Sequence, residues 1–268
     1  MRDFKRAAAI LGVVVLLAAF CMPMVFALGG SSGAFRASLA AAIFVPVMGY
    51  VFWMFYRLLN HKKGETDRQM KNIIFDVGKV LVDFNWEEYL HSFGFPAEEE
   101  EAIADAVFRS QTWNERDRGL YPEETYVQAF VDALPQYAED VRRVMEKTYR
   151  TIRVRDYAYT WTKYLKSQGY NLYILSNFCE YLLGYVRKDM DFLENMDGII
   201  FSCEVRQLKP ERDIYETILS RYQLVPEESV FLDDREDNCR AAEELGIHTI
   251  CFESMKQAAA ELEKLGVK

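Results

Sequence analysis

The sequence predicts an α/β protein: a parallel sheet with helices on both faces, a helical cap inserted after the first strand, and a transmembrane helical hairpin in front. Three observations carry this. Short apolar runs that end in polar residues alternate with helical patterns from Asn72 onward, the pattern of parallel strands joined by crossover helices. Residues 85–166, between the first and second of those runs, have apolar residues recurring at three and four positions instead. The first 63 residues hold two uncharged stretches of membrane-spanning length.

Ala7 to Leu28 contains no charge, and neither does Ala37 to Tyr56, which lies between Arg36 and Arg57. About 20 apolar residues cross the hydrocarbon of a bilayer as a helix, so spans are expected at 7–28 and 37–56, joined through Gly29-Gly30-Ser31-Ser32-Gly33. Tyr50, Trp53 and Tyr56 suit an interfacial aromatic belt. A cleaved signal peptide ending near Val25-Phe26-Ala27 competes with this reading. The length of the first run and the second span directly after it oppose that alternative. A buried soluble hairpin is opposed by the apolar character of both runs all round. Arg2, Lys5 and Arg6 precede the hairpin and Arg57, Lys62 and Lys63 follow it, against Arg36 alone in the loop. Both ends are therefore expected in the cytoplasm. The chain reads as a multi-pass protein of the cell membrane, with the lipid bilayer as a partner and the body that follows the hairpin in the cytoplasm. Residues 64–71 are a polar linker.

Charge divides at the same place. The chain carries a formal −9, yet residues 1–63 hold seven basic side chains and one acidic, a net of +6, which leaves −15 on the other 205 residues. A body that acidic excludes general nucleic-acid binding, which needs Lys and Arg against phosphates. The five cysteines form no C-x-x-C pair, so no disulfide framework is expected and a reducing compartment fits. His61, His91 and His248 show no H-x-x-x-H spacing, which argues against a histidine zinc site.

Within the body, Asn72–Phe75 (NIIF) reads as a strand running into Asp76. Trp86 to about Lys166 reads as helical, with breaks near Gly94-Phe95-Pro96, Gly119–Pro122 and Pro135. Strands are then predicted at Asn171–Leu175, Gly198–Ser202, Val230–Leu232 and His248–Phe252. Helices are predicted at Cys179–Lys188, Asp213–Tyr222, Cys239–Leu245 and the C-terminus, with Asp237-Asn238 as the N-cap before Cys239. The core is thus 72–84 with 167–268, and the cap 85–166.

Ligands of such sheets bind beyond the carboxyl ends of the strands. Four polar signals fall there in chain order: Asp76, Ser176-Asn177, Lys209-Pro210 and Asp233-Asp234. Carboxylates, a hydroxyl and an ammonium converging on one crevice describe phosphoryl transfer. A carboxylate can attack phosphorus and carry it covalently, with a divalent ion on oxygen ligands and positive charge on the phosphoryl oxygens.

The segments Phe75-Asp76-Val77-Gly78-Lys79-Val80-Leu81-Val82-Asp83, Leu175-Ser176-Asn177, Leu208-Lys209-Pro210 and Phe231-Leu232-Asp233-Asp234 resemble the four motifs of the haloacid dehalogenase-like hydrolases. The resemblance runs from about Asn72 to Phe252 and implies a Rossmann-like core. It implies that Asp76 is the nucleophile, and that Mg²⁺ is held by Asp76, the Gly78 carbonyl and a carboxylate of Asp233-Asp234. It also implies that Ser176, with Asn177, and Lys209 hold the phosphoryl group, and that the cap is mobile and selects substrate. The wording of the first motif looks most like phosphatases acting on sugar phosphates, so the expected substrate is a small phosphate ester. One departure stands out. The family's phosphatases usually place a general-acid Asp two residues after the nucleophile, and here that position is Gly78. In the cap, Trp113, Arg116 and Arg118 lie beside Gly119 in a loop-like stretch. Arg118 is a candidate to grip a substrate anion, with a salt-bridged surface arginine as the alternative. Two functions follow: an Mg²⁺-dependent phosphatase, or a membrane-anchored binding or regulatory module that kept the fold and lost turnover.

Overall fold

A computed structural model describes residues 69–268. The two spans and most of the linker lie outside the described residues, among which no helix is long and apolar enough to cross a membrane.

Strand β1 (Asn72–Phe75) is buried along its whole length, as a central parallel strand must be. The chain turns at Val77, whose carbonyl accepts the N–H groups of Val80, Leu81 and Val82. It then enters β2 (Val82–Phe84). Helices α1 (Trp86–His91), α2 (Ala97–Ala106), α3 (Gln111–Arg118), α4 (Glu123–Ala133) and α5 (Ala138–Glu146) follow. Strand β3 (Ile152–Val154) returns antiparallel to β2, with Asp83 opposite Arg153. The Asp83 carboxylate accepts from Arg153 at 3.1 Å and Arg155 at 2.8 Å, which fastens this two-stranded neck.

The chain then winds through α6 (Ala158–Ser167), β4 (Asn171–Ser176), α7 (Glu180–Val186), β5 (Gly198–Phe201), α8 (Ser202–Val205) and α9 (Arg212–Arg221). It finishes with β6 (Ser229–Asp233), α10 (Glu236–Glu243), β7 (His248–Cys251) and α11 (Met255–Lys264). The five long strands form one parallel sheet in the order β5-β4-β1-β6-β7. Alternation along each strand feeds two separate cores. Ile73, Phe75, Leu172, Ile174 and Leu232 pack with Trp161 and Leu165 of α6 and Leu262 of α11. Ile74, Tyr173, Leu175 and Phe231 pack with Ile214 and Ile218 of α9 and Ala242 of α10. The starts of three strands are stitched by side chains: Asn171 Nδ2 donates to Asn72 Oδ1 at 3.0 Å, and Asn72 Nδ2 donates to Ser229 Oγ at 3.1 Å.

Three local readings differ from the sequence expectations. Strand β3 of the neck interrupts the stretch from Trp86 to about Lys166 that reads as helical. The stretch around Trp113–Arg118 is helix α3, capped by Ser110 Oγ, which accepts from the Trp113 N–H at 3.3 Å, and closed by Gly119 at φ 71°. Helix α6, assigned to the cap by its pattern, packs under the sheet, where Trp161 meets Phe75 edge-on at 5.3 Å. The insertion therefore closes at the neck.

Candidate active site

Strand order places the carboxyl ends of β4, β1 and β6 side by side, and the polar residues after them meet there. Asp76 continues β1 through its N–H to the Leu232 carbonyl at 2.9 Å. Lys209, on the loop after α8, reaches between the strands. Its Nζ lies 2.8 Å from Asp76 Oδ1 and 2.6 Å from Asp233 Oδ2, and 5.2 Å from the centroid of the Phe231 ring. Burial alone would lower the Lys209 pKa, but the Asp233 and Asp76 carboxylates outweigh it and hold it above its ordinary value. Burial pushes the Asp76 pKa up to about 6, with Lys209 opposing and Asp233 adding to the rise. Ser176, buried, hydrogen-bonds the Asp76 carboxylate, and its Oγ accepts from the Val77 N–H at 3.4 Å.

The two residues of the Asp233-Asp234 pair differ in surroundings. Asp233 is fully buried. Its Oδ1 accepts from the Arg235 N–H and from Asn238 Nδ2, both at 2.9 Å, and its Oδ2 from Lys209 and, at 3.1 Å, from Asn238 Nδ2. Asp234 lines the open cavity, and its cationic neighbour, Lys79 Nζ, is 3.9 Å away. Asp76, Asp233 and Asp234 each bring one oxygen within 4.8 Å of the others. Beside them the buried Asn238 Oδ1 has no hydrogen-bond partner among the described residues. Hard oxygen donors and one orphaned amide oxygen suit a small divalent cation such as Mg²⁺.

Asn177 lines the cavity. Its Nδ2 donates to the Lys209 carbonyl at 3.0 Å and its Oδ1 accepts from the Lys209 N–H at 2.9 Å, so the side chain holds the lysine loop. Two expectations need correction here. Arg118 does not line the cavity. Its guanidinium is divided between Glu115 and Glu211, with contacts of 3.0 and 2.6 Å, and ties α3 to the start of α9. Arg116 is buried against Glu123, Trp113 and Tyr181, a structural placement. Helix α10 begins at Glu236, so Asp237 and Asn238 lie inside its first turn instead of capping it.

The cavity holds about 280 Å³. It is lined by Asp76, Gly78, Lys209 and Asp234, by the rings of Phe84, Trp86, Phe108, Trp113 and Phe178, and by Asn114 and Asp117 of α3. Sequence reading missed Asp117 and Asn238. Asp117 stands between two arginines in a stretch that reads as loop-like, with nothing to single it out. Cys179 behaves as a core thiol: it is buried, and burial raises its pKa.

The sequence and the fold are similar to those of known proteins. The family model for haloacid dehalogenase-like hydrolases matches residues 70–246. Bifunctional epoxide hydrolase 2 of Rattus norvegicus is 33% identical over 107 residues, 38% of this chain and 19% of that protein, so the chain spans about a fifth of that relative. D-ribitol-5-phosphate phosphatase of Bacteroides thetaiotaomicron is 23% identical over 198 residues, 67% of this chain and 90% of that enzyme. A HAD family enzyme of the same bacterium, solved as a complex with magnesium and inorganic phosphate, has a TM-score of 0.55 at 22% identity, covering 70% of this chain and 98% of that one.

Proposed function

The chain belongs to the haloacid dehalogenase-like hydrolases, and we propose that it is an Mg²⁺-dependent phosphatase that hydrolyses a small phosphate ester through an aspartyl-phosphate on Asp76. The observation that carries this is the Lys209 ammonium bridging Asp76 and Asp233 beneath an open cavity. Desolvating a lysine is costly unless it is paired, and its two carboxylate partners hold Lys209 charged. Here it faces the place where phosphoryl oxygens would lie.

In this reading an Asp76 carboxylate oxygen attacks phosphorus, the bond to the leaving oxygen breaks, and the phosphoryl group rests on Asp76 until water releases it. Ser176 and Lys209 orient the phosphoryl oxygens and offset their charge. Asp76 and Asp234, with the Gly78 carbonyl, would hold the cation, and Asp233 would keep Lys209 in place. Bound Mg²⁺ supplies charge neutralisation at the phosphoryl group.

The similarity to a ribitol-phosphate phosphatase supports a sugar phosphate as substrate. The aromatic wall of Phe84, Trp86, Phe108 and Trp113 favours a second reading, a leaving group with an apolar or planar face. The uncharged runs at 7–28 and 37–56 support a transmembrane hairpin that holds the enzyme in the cell membrane with its site in the cytoplasm.

The test is phosphate release by the full chain in detergent, with Mg²⁺ or chelator, from sugar, isoprenyl and aryl phosphates. Metal-dependent release that Asp76→Asn abolishes supports the proposal. Mg²⁺ binding without release from any ester would instead favour the regulatory module.

A further inference from the structure

Expelling an alcohol from phosphorus needs a proton on the leaving oxygen, and the loop after β1 supplies none at Gly78. Space is not the reason. A Cβ built on Gly78 would meet only Asp76 Oδ2, at 3.9 Å. Attack by Asp76 sends the leaving oxygen to the opposite face of phosphorus, toward the inserted helices. Of the titratable groups lining the cavity, Asp76, Asp234 and Lys209 are engaged on the sheet side. Lys79 leans toward Asp234, and Arg235 pairs with Asp237 and, as a guanidinium, does not release a proton. Asp117 is the acid that α3 contributes to the same cavity.

We propose, resting on the phosphatase reading, that Asp117 is the proton donor to the leaving oxygen, supplied by the insertion in place of the aspartate missing at position 78. The phosphorus–oxygen bond breaks with its electron pair on the leaving oxygen, which takes the Asp117 proton and departs as the alcohol. Asp117, now a carboxylate, takes a proton from the water that attacks the aspartyl-phosphate. Inorganic phosphate leaves, and both carboxyl groups are restored to their starting states.

The geometry around Asp117 is fixed by the core. Ser202 Oγ donates to the Asp117 carbonyl at 2.5 Å while accepting from the Phe178 N–H at 2.8 Å. The Cys179 backbone N–H hydrogen-bonds the Asp117 carboxylate. Two residues on, the backbone passes so close to Cys203 that a Cβ on Gly119 would lie 3.0 Å from its Cβ and 3.2 Å from its Cα. Arg118 is clasped to Glu211. The segment that carries the acid is therefore held at the site. Burial raises the Asp117 pKa to about 7; Arg116 and the Cys179 N–H oppose this, and Asp76 and Glu123 add to it. A carboxyl group poised there is matched to general-acid work at neutral pH.

The test compares kcat/KM of the full chain and Asp117→Asn across phosphate esters, from dinitrophenyl phosphate, whose anion departs unaided, to an alkyl phosphate. Asparagine keeps an acceptor for the Cys179 N–H, and the ratio between esters is internal to one preparation, so partial misfolding cancels. The expected loss is about 10²–10⁴-fold on the alkyl ester and far smaller on the dinitrophenyl ester. Gly78→Asp added to Asp117→Asn is expected to recover part of the alkyl activity. An equal loss on every ester, or no loss on any, overturns the assignment of Asp117. An inactive wild-type chain on every ester would instead remove the phosphatase reading, and the proton donor with it.

Discussion

The side-chain amide of Asn177 closes on both backbone positions of Lys209, donating to its carbonyl and accepting from its N–H. The residue after β4 thereby sets the height of the lysine that joins β1 to β6, so the three strand ends act as one unit. Asn177→Ala removes two partly buried hydrogen bonds worth about 1 kcal/mol each. A drop in thermal midpoint should be accompanied by a fall in kcat larger than the change in KM, as expected when a positioning contact is lost.

Lys209→Met tests the centre of the site. It leaves Asp76 and Asp233 facing each other with no cation between them, and removal of one partner of a buried pair costs about 3–5 kcal/mol. Denaturant unfolding at neutral pH should show a loss of that size, accompanied by loss of phosphate release. Acidification should recover part of the stability by protonating one carboxylate.

Asp117 gives the reaction a signature in pH. Its folded pKa stands above the ordinary carboxyl value of 3.8, at about 7. The folded chain keeps a proton there that the unfolded chain has already lost. Asp117's contribution to stability is therefore complete below about pH 4 and declines as pH rises to about 7. The rate on an alkyl ester should fall along an alkaline limb as the acid is lost, and Asp117→Asn should remove that limb and flatten the stability slope. Rate profiles and melting curves from pH 5 to 9 check both.

Arg118 separates a substrate grip from a structural clasp. Its contacts with Glu115 and Glu211 lie near the surface, where such pairs contribute about 0–1 kcal/mol. Arg118→Ala should leave KM for phosphate esters within about twofold, since the guanidinium is outside the cavity. Gly119→Ala should cost more, about 1–3 kcal/mol, because a left-handed φ and the Cys203 contact both oppose a side chain. Thermal melts of the two variants side by side give the ordering.

Much of this was legible in the sequence because the sheet is buried on both faces. Runs such as NIIF and NLYIL have no polar interruption, and the residues just past them are the ones that meet at the site. The β2–β3 neck was not legible, since three residues are too few to show a period of two. Helix α3, QTWNERDR, has only one large apolar residue, Trp113, and so reads as a loop. Sequence could offer Asp233-Asp234 only as a pair; the difference between them arises from Asn238 and Lys209 converging on the first. Asp117 and the aromatic wall were hidden for the same reason. Their nearness to Asp76 depends on contacts such as Ser202 to Asp117, far apart along the chain.

The central place of β1 also bears on how the chain is made. Asn72 leaves the ribosome early, but its neighbours on the two sides, Asn171 and Ser229, follow 99 and 157 residues later. At about 5–20 residues per second, the second neighbour arrives about 8–30 s after the first strand. Until β4 emerges the NIIF segment has no strand to pair with, and until β6 emerges one of its edges stays open. Asp76 spends most of translation as an ordinary carboxylate and becomes a buried, lysine-paired one only when Asp233 arrives.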